Sequence, residues 1–128
     1  MKKIFGLVAI VVLMSGCTPF VPVENLSKVP PSDLAAAMSI RIFTVESGAA
    51  YPPIETVLAE VSAYSCKFMM WDPPASKGDA LKRLRLEALK IGANAIIDVT
   101  FDERGTDTYG TNCWESVHAS GQAVKLKP

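Results

Sequence analysis

Hydrophobic positions change period several times along this chain, and each change predicts an element. Ile40-Arg41-Ile42-Phe43-Thr44-Val45 is rich in β-branched and aromatic residues and predicts a first strand. Val57 to Cys66 alternates, with Val57, Ala59, Val61 and Ala63 on one side and Glu60 and Ser62 on the other, the period of a second strand. Met69-Met70-Trp71-Asp72-Pro73-Pro74 closes it with a partly apolar turn. The period then lengthens: Leu81, Leu84, Ala88 and Ile91 form one helical stripe, and Lys82, Arg83 and Lys90 point away from it as a solvated face. Ser76 and Asp79 supply an S-x-x-D capping signal ahead of that helix, and Gly92 stands where a left-handed residue would end it. In Ala95 to Asp102, Ile97, Val99 and Phe101 alternate with Asp98, Thr100 and Asp102, which predicts a strand with one packed face. Arg104 to Asn112 holds two glycines among Thr, Asp and Asn and reads as a mobile hairpin loop. Trp114 to Leu126 is the last strand, and its alternation changes phase around Gly121-Gln122 as a bulge would make it do.

The order β-β-α-β-β predicts an α+β domain over residues 40–128: a small, mainly antiparallel sheet with one helix laid on a face. Residues before Ile40 read as a connector, because Pro19, Pro22, Pro30 and Pro31 interrupt any regular element. Within it, Ser32 to Met38 is a candidate single helical turn capped by Ser32 and Asp33. Fully stretched, the roughly 22 connector residues reach about 75 Å, and as a coil about 25 Å. Such a connector would let the domain stand off its point of attachment.

The N-terminus says what that attachment is. Lys2 and Lys3 precede an eleven-residue apolar run, Ile4 to Met14, followed by Ser15-Gly16-Cys17. A positive region, an apolar core and small residues are the parts of a secretory signal peptide. The ending resembles a lipobox, with Met14 where Leu is commonest three places before the cysteine. Eleven residues of helix span about 17 Å, too short for roughly 30 Å of hydrocarbon, so a transmembrane anchor fits poorly. The expected organisation is therefore a lipoprotein signal peptide over 1–16, a lipid-anchored tether over 17–39 with Cys17 lipidated, and the domain. Cleavage leaves 112 residues with eleven basic and thirteen acidic side chains, a formal charge of −2. No basic patch remains to serve nucleic acid. In an oxidising envelope, Cys66 and Cys113 are expected to pair across about 47 residues, a disulfide staple for a small core. Two buried thiols, or a zinc pair short of further ligands, are the alternatives.

Candidate chemistry is sparse. No nucleophile-base pair, phosphate-cradling glycine motif or metal-ligand spacing is present, so neither enzymatic activity nor a cofactor or metal is expected. His118, the one histidine, is expected in a structural or surface role. Asp98, Asp102 and Glu103 are too few for a hard cation, and the two aspartates have a solvent-facing strand to explain them. Trp71, Trp114, Met69, Met70 and Tyr109 are partner-contact candidates if exposed, although packing near the cysteines accounts for them more simply.

Cys66 after a strand, the Lys/Arg-rich helix, Ala93-Asn94-Ala95-Ile96-Ile97, and Cys113-Trp114 leading into Ala119-Ser120-Gly121-Gln122-Ala123 together resemble the RcsF-like family of stress-sensor lipoproteins. The Gly92-to-Ile97 stretch also looks like the wider YbjQ-type domain family. The resemblance covers roughly Ile40 to Leu126 and the leader. It implies a disulfide-stapled αβ domain held to the outer membrane through Cys17 and facing the periplasm. It also implies contacts with outer-membrane barrel proteins and with an inner-membrane signalling regulator of a phosphorelay. Thr18 is not the Asp that resembles an inner-membrane retention signal. Cys66 and Cys113 match one of the family's two bridges; Phe101 and Ala119 stand where the second would be. The tether is also shorter and poorer in Pro and Lys than the family's linker.

Overall fold

Ser76 starts the main helix as its capping signal predicts: the Asp79 N–H donates to the Ser76 hydroxyl at 3.1 Å. In the computed structural model, which describes residues 23–107 and 111–128, that helix follows three other elements. The order is α1 (Pro31–Met38), β1 (Arg41–Thr44), β2 (Ile54–Lys67), α2 (Lys77–Lys90), β3 (Ala95–Asp107) and β4 (Cys113–Leu126). The expected leader, Cys17 and Tyr109 lie outside the described residues. At the far end of α2, Gly92 adopts φ +79°. Its N–H donates to Leu89 at 3.1 Å, and that of Ala93 to Ala88 at 3.1 Å, the paired bonds of a Schellman stop.

The strands form one sheet in the order β1-β3-β4-β2. The β2–β4 and β3–β4 ladders are antiparallel, whereas β1 runs parallel to β3. The sheet is therefore mixed, with two antiparallel ladders and one short parallel one. Helix α2 lies across β2, β4 and β3. Between them Leu84, Ile96, Val99, Val117 and a set of alanines form the main core. Phe43, Ala95, Ile97, Val124 and Leu126 make a smaller cluster on the other face. Asn94 ties the strand ends together: its side chain accepts the Leu126 N–H at 2.8 Å and donates to the Leu126 carbonyl at 3.2 Å.

Several sequence expectations change here. Ile97 and Val99 do not share a face, because Asp98 takes φ +53° and the ladder slips by one residue between Ile97 and Thr100. The bulge thus lies on β3 rather than at Gly121-Gln122, and further slips fall on β2 near Glu55 and Leu58. The phase change read in β4 arises because Val124 and Leu126 are buried under the second cluster. Gly121 has a separate reason: a Cβ there would stand 2.8 Å from Ile96 Cγ2 and 2.9 Å from the Ile97 carbonyl oxygen. On β2, Val61 and Ala63 are buried as expected, but Val57 and Ala59 are exposed. The first part of the expected 104–112 loop is strand instead, since β3 continues to Asp107 with Gly105 at φ +58° in a second irregularity.

The stretch read as a connector is folded from Val23 onward among the described residues. Leu26–Lys28 forms a 3₁₀ turn capped by Asn25. Helix α1 begins at Pro31 with no side-chain cap, so Ser32 and Asp33 lie within it rather than capping it. It packs on α2. The cationic face of α2 does more than meet water: Arg83 donates to the Glu24 carbonyl, Lys90 pairs with Glu24 at 3.1 Å, and Arg85 donates to the Ile40 carbonyl at 3.2 Å. Arg83 also pairs with Asp79 at 2.9 Å. Ile91, placed on the apolar stripe, is exposed, while Ala80 and Leu86 are buried. The second helix widens the covered arc of α2 beyond the single stripe.

Candidate functional site

Two surfaces carry the side chains of interest. The first surrounds the disulfide. Cys66, near the end of β2, is bonded to Cys113 at the start of β4, with Cα atoms 5.5 Å apart, inside the ordinary range. The chain leaving β2 doubles back at once. The Phe68 and Met69 N–H groups donate to Asp72 Oδ2 at 3.2 and 2.9 Å, and the Asp72 N–H donates to the Met69 carbonyl at 3.0 Å. One carboxylate therefore closes the loop with its own backbone and leaves the apolar side chains outside. Met70 is 88% exposed, Trp71 81% and Trp114 70%. Packing around the bridge, the simpler expectation for these residues, is thus not what the fold does. Met69, Met70 and Trp114 line a shallow groove of about 280 Å³ between Lys67 and Glu115. Phe68, Met69 and Trp114 line another of about 320 Å³ with Thr106, Asn112 and Cys113.

The second surface is a row across the open face of the sheet. The registers Asp102↔His118 and His118↔Tyr64 place these three side by side on β3, β4 and β2. The Tyr64 and His118 rings lie 4.6 Å apart. Arg104 donates to the Tyr64 hydroxyl at 2.8 Å and to Asp102 at 2.9 Å, and its guanidinium sits 5.4 Å from the Tyr64 ring centre. Hydrogen bonding to Asp102 raises the Arg104 pKa further, so it stays charged. Partial burial, with the Arg104 charge second, lowers the His118 pKa below its ordinary 6.5, against the smaller pull of Asp102 and Glu60. Neutral His118 is thus the form the fold prefers. Between the lowered folded value and about 6.5 the unfolded chain binds more protons, so stability falls as the pH drops through that window. Denaturant midpoints measured from pH 7 to pH 5 are expected to fall, and to fall less in His118→Gln. An equal slope in the variant would assign the acid sensitivity elsewhere.

The Tyr64 hydroxyl is taken up by Arg104, and Cys66 and Cys113 are bonded in the disulfide. Asp98 sits at the β3 bulge and Asp102 is engaged with Arg104, so with Glu103 they do not converge. Among the described residues no three His, Cys, Asp or Glu side chains come together as metal ligands. The cross-strand row was hard to foresee: Tyr64, Arg104 and His118 meet only through long-range register, and β3 had to extend past Asp102.

Comparison with known proteins gives this geometry a lineage. Residues 55–127 match the model of the YbjQ family, described as "Putative heavy-metal-binding". Outer membrane lipoprotein RcsF of Escherichia coli strain K12 is 31% identical over 98 residues, covering 69% of this chain and 72% of that protein. RcsF of Escherichia coli O6:H1 matches to the same extent. A crystal structure of a DUF74-family protein of unknown function from Pediococcus pentosaceus overlaps with a TM-score of 0.48 at 17% identity, covering 69% of this chain and 98% of the other. The chain belongs to the YbjQ-type domain family and, within the proteins compared, to its RcsF-like members.

The residues present do not fit the metal named in the family description. A thiolate must be free to ligate a soft metal, whereas Cys66 and Cys113 are bonded to each other. No further Cys or His stands beside them in a ligand cluster among the described residues.

Proposed function

We propose that this chain is an outer-membrane lipoprotein, lipidated at Cys17 and facing the periplasm, that acts by protein contacts as an envelope-stress sensor feeding a phosphorelay. The observation that carries the reading is the 31% identity to an outer membrane lipoprotein across 72% of its length. Three features support it. The leader has a lipobox-like end at Cys17. No helix among the described residues is long and apolar enough to cross a membrane. Trp71 and Trp114 stand exposed as partner-contact candidates; Tyr109, the third, lies outside the described residues. The partners proposed are outer-membrane barrel proteins and an inner-membrane signalling regulator. A binding protein needs no nucleophile, which suits a surface of aromatics and methionines rather than an acid-base pair.

Deleting the gene is expected to abolish induction of a phosphorelay-controlled reporter when the envelope is damaged. The full chain should restore it, and Cys17→Ala should not. Intact mass of the purified protein should show the added acyl chains on Cys17. Unchanged induction in the deletion strain would reject the sensor role.

A further inference from the structure

The exposed apolar loop, the start of the described chain and the anchor position bear on one another. Val23, Cys66, Phe68 and Asp72 line one cleft, so the N-terminal segment leaves the domain at the end that carries the disulfide. The next residue is held in place: Arg83 donates to the Glu24 carbonyl and Lys90 pairs with its carboxylate at 3.1 Å. Only five residues lie between Val23 and Cys17, six steps along the chain. Even fully extended they reach about 20 Å. Strand β2 alone, with 14 residues, measures about 46 Å. A leash shorter than half the domain, fixed at one end of it, decides which end faces the anchor.

That end is also where the large apolar side chains are exposed. Met70 is 88% exposed, Trp71 81% and Trp114 70%, with Phe68 and Met69 beside them. Tryptophan and phenylalanine have amphipathic or bulky rings that settle at the boundary between headgroups and hydrocarbon. The loop is partly shaped for this, because Asp72 satisfies the Phe68 and Met69 N–H groups internally, so those two backbone donors need not be stripped of water. Lys67 and Glu115 border the groove with opposite charges, which favours an interface driven by apolar contact over one that selects anionic lipid.

We propose that Phe68–Trp71 and Trp114 rest in the headgroup layer of the bilayer that holds Cys17, so that the domain is docked on the membrane by its disulfide end. The inference rests on lipidation of Cys17 and adds an orientation to it. A docked patch is withheld from protein, so contacts made through Trp71 and Trp114 form on its release.

The chain has two tryptophans, which permits a direct test on the full lipidated protein. Trp114→Phe leaves Trp71 as the reporter, and Trp71→Phe leaves Trp114. Each is reconstituted in phosphatidylcholine vesicles, ordinary or brominated on the acyl chain near the headgroup. Both reporters should emit at shorter wavelength than in the delipidated chain and lose intensity in the brominated vesicles. A third variant carries both Phe substitutions and Val57→Trp, an exposed position on β2 ten residues from Lys67 and about 33 Å away. Its emission should be the same in both vesicles. Unquenched Trp71 and Trp114 in a protein whose mass shows acylated Cys17 would overturn docking and leave the lipoprotein reading standing. Quenching of all three reporters would overturn the stated orientation. Absence of acyl chains on Cys17 would reject the lipoprotein reading and the docking with it. Unquenched reporters together with photocrosslinks from position 71 to an envelope protein would assign the patch to a protein partner instead.

Discussion

Replacing Cys66 or Cys113 with serine should lower the folding stability by about 4 kcal/mol, the largest effect expected of any single side chain outside the packed core. The bridge closes a loop across a sequence separation of 47, and its loss returns that loop's freedom to the unfolded chain. Domains of this size have about 5–15 kcal/mol in total, so the variants should unfold at much lower denaturant. Cys113 is 1% exposed, and a serine hydroxyl in its place must find a partner in a site shaped for sulfur. Cys66 lies two residues before Phe68, and Cys113 immediately precedes Trp114. The bridge therefore also holds together the two halves of the exposed patch, and tryptophan emission should broaden in the variants before global unfolding. Denaturant midpoints with and without reductant provide the check, compared at matched slopes. Coincident curves for the wild type in both conditions would show that the bridge contributes nothing.

Which features could be read from the sequence depended on how far apart the interacting residues are. The limits of α2 were legible because both are local: Ser76 reaches Asp79, and Gly92 with Ala93 reaches Leu89 and Ala88. The α+β class and the pairing of Cys66 with Cys113 followed from alternation, one long helical stripe and a count of cysteines. The bulge at Asp98 was not legible. Ile97, Val99 and Phe101 alternate without a break, and only the competition between two cores on opposite faces moves Ile97 to the second. The folded N-terminal segment was missed for a related reason. Its prolines suit a tether, yet Glu24 is held by residues 59 and 66 positions away, and no local pattern reports such contacts. Of the site residues, Trp71 and Trp114 were visible as candidates, but their exposure was not. It follows from the Asp72 carboxylate closing its loop outward. Tyr64 and Arg104 carried no signal beyond the register that brings them to His118.

Leu84→Ala should cost about 3–5 kcal/mol, the upper part of the range for a buried leucine. Its side chain is fully buried, and among the α2 residues buried in the main core it is the largest, with Leu81 and Leu89 only partly buried beside it. What surrounds it decides the size of the effect. The helix contributes Ala80 and Ala88 on either side, and the sheet below contributes Ala63, Ala119 and Ala123. Gly121 brings the β4 backbone close to Ile96 and Val99. These alanines and the β4 backbone cannot swing into a vacated space, so much of the cavity would persist even beside Ile96, Val99 and Val117, and its walls would lose dispersion contacts as well as the transfer energy of the removed carbons. Leu84→Met, which keeps the volume, should cost less than about 1.5 kcal/mol and so separates lost packing from any change in helix propensity. Equilibrium denaturation of both variants with the disulfide intact is the measurement. A loss below about 1.5 kcal/mol for the alanine variant would mean that α2 settles onto the sheet to close the gap, and that the alanine-rich interface is more compliant than its close packing implies.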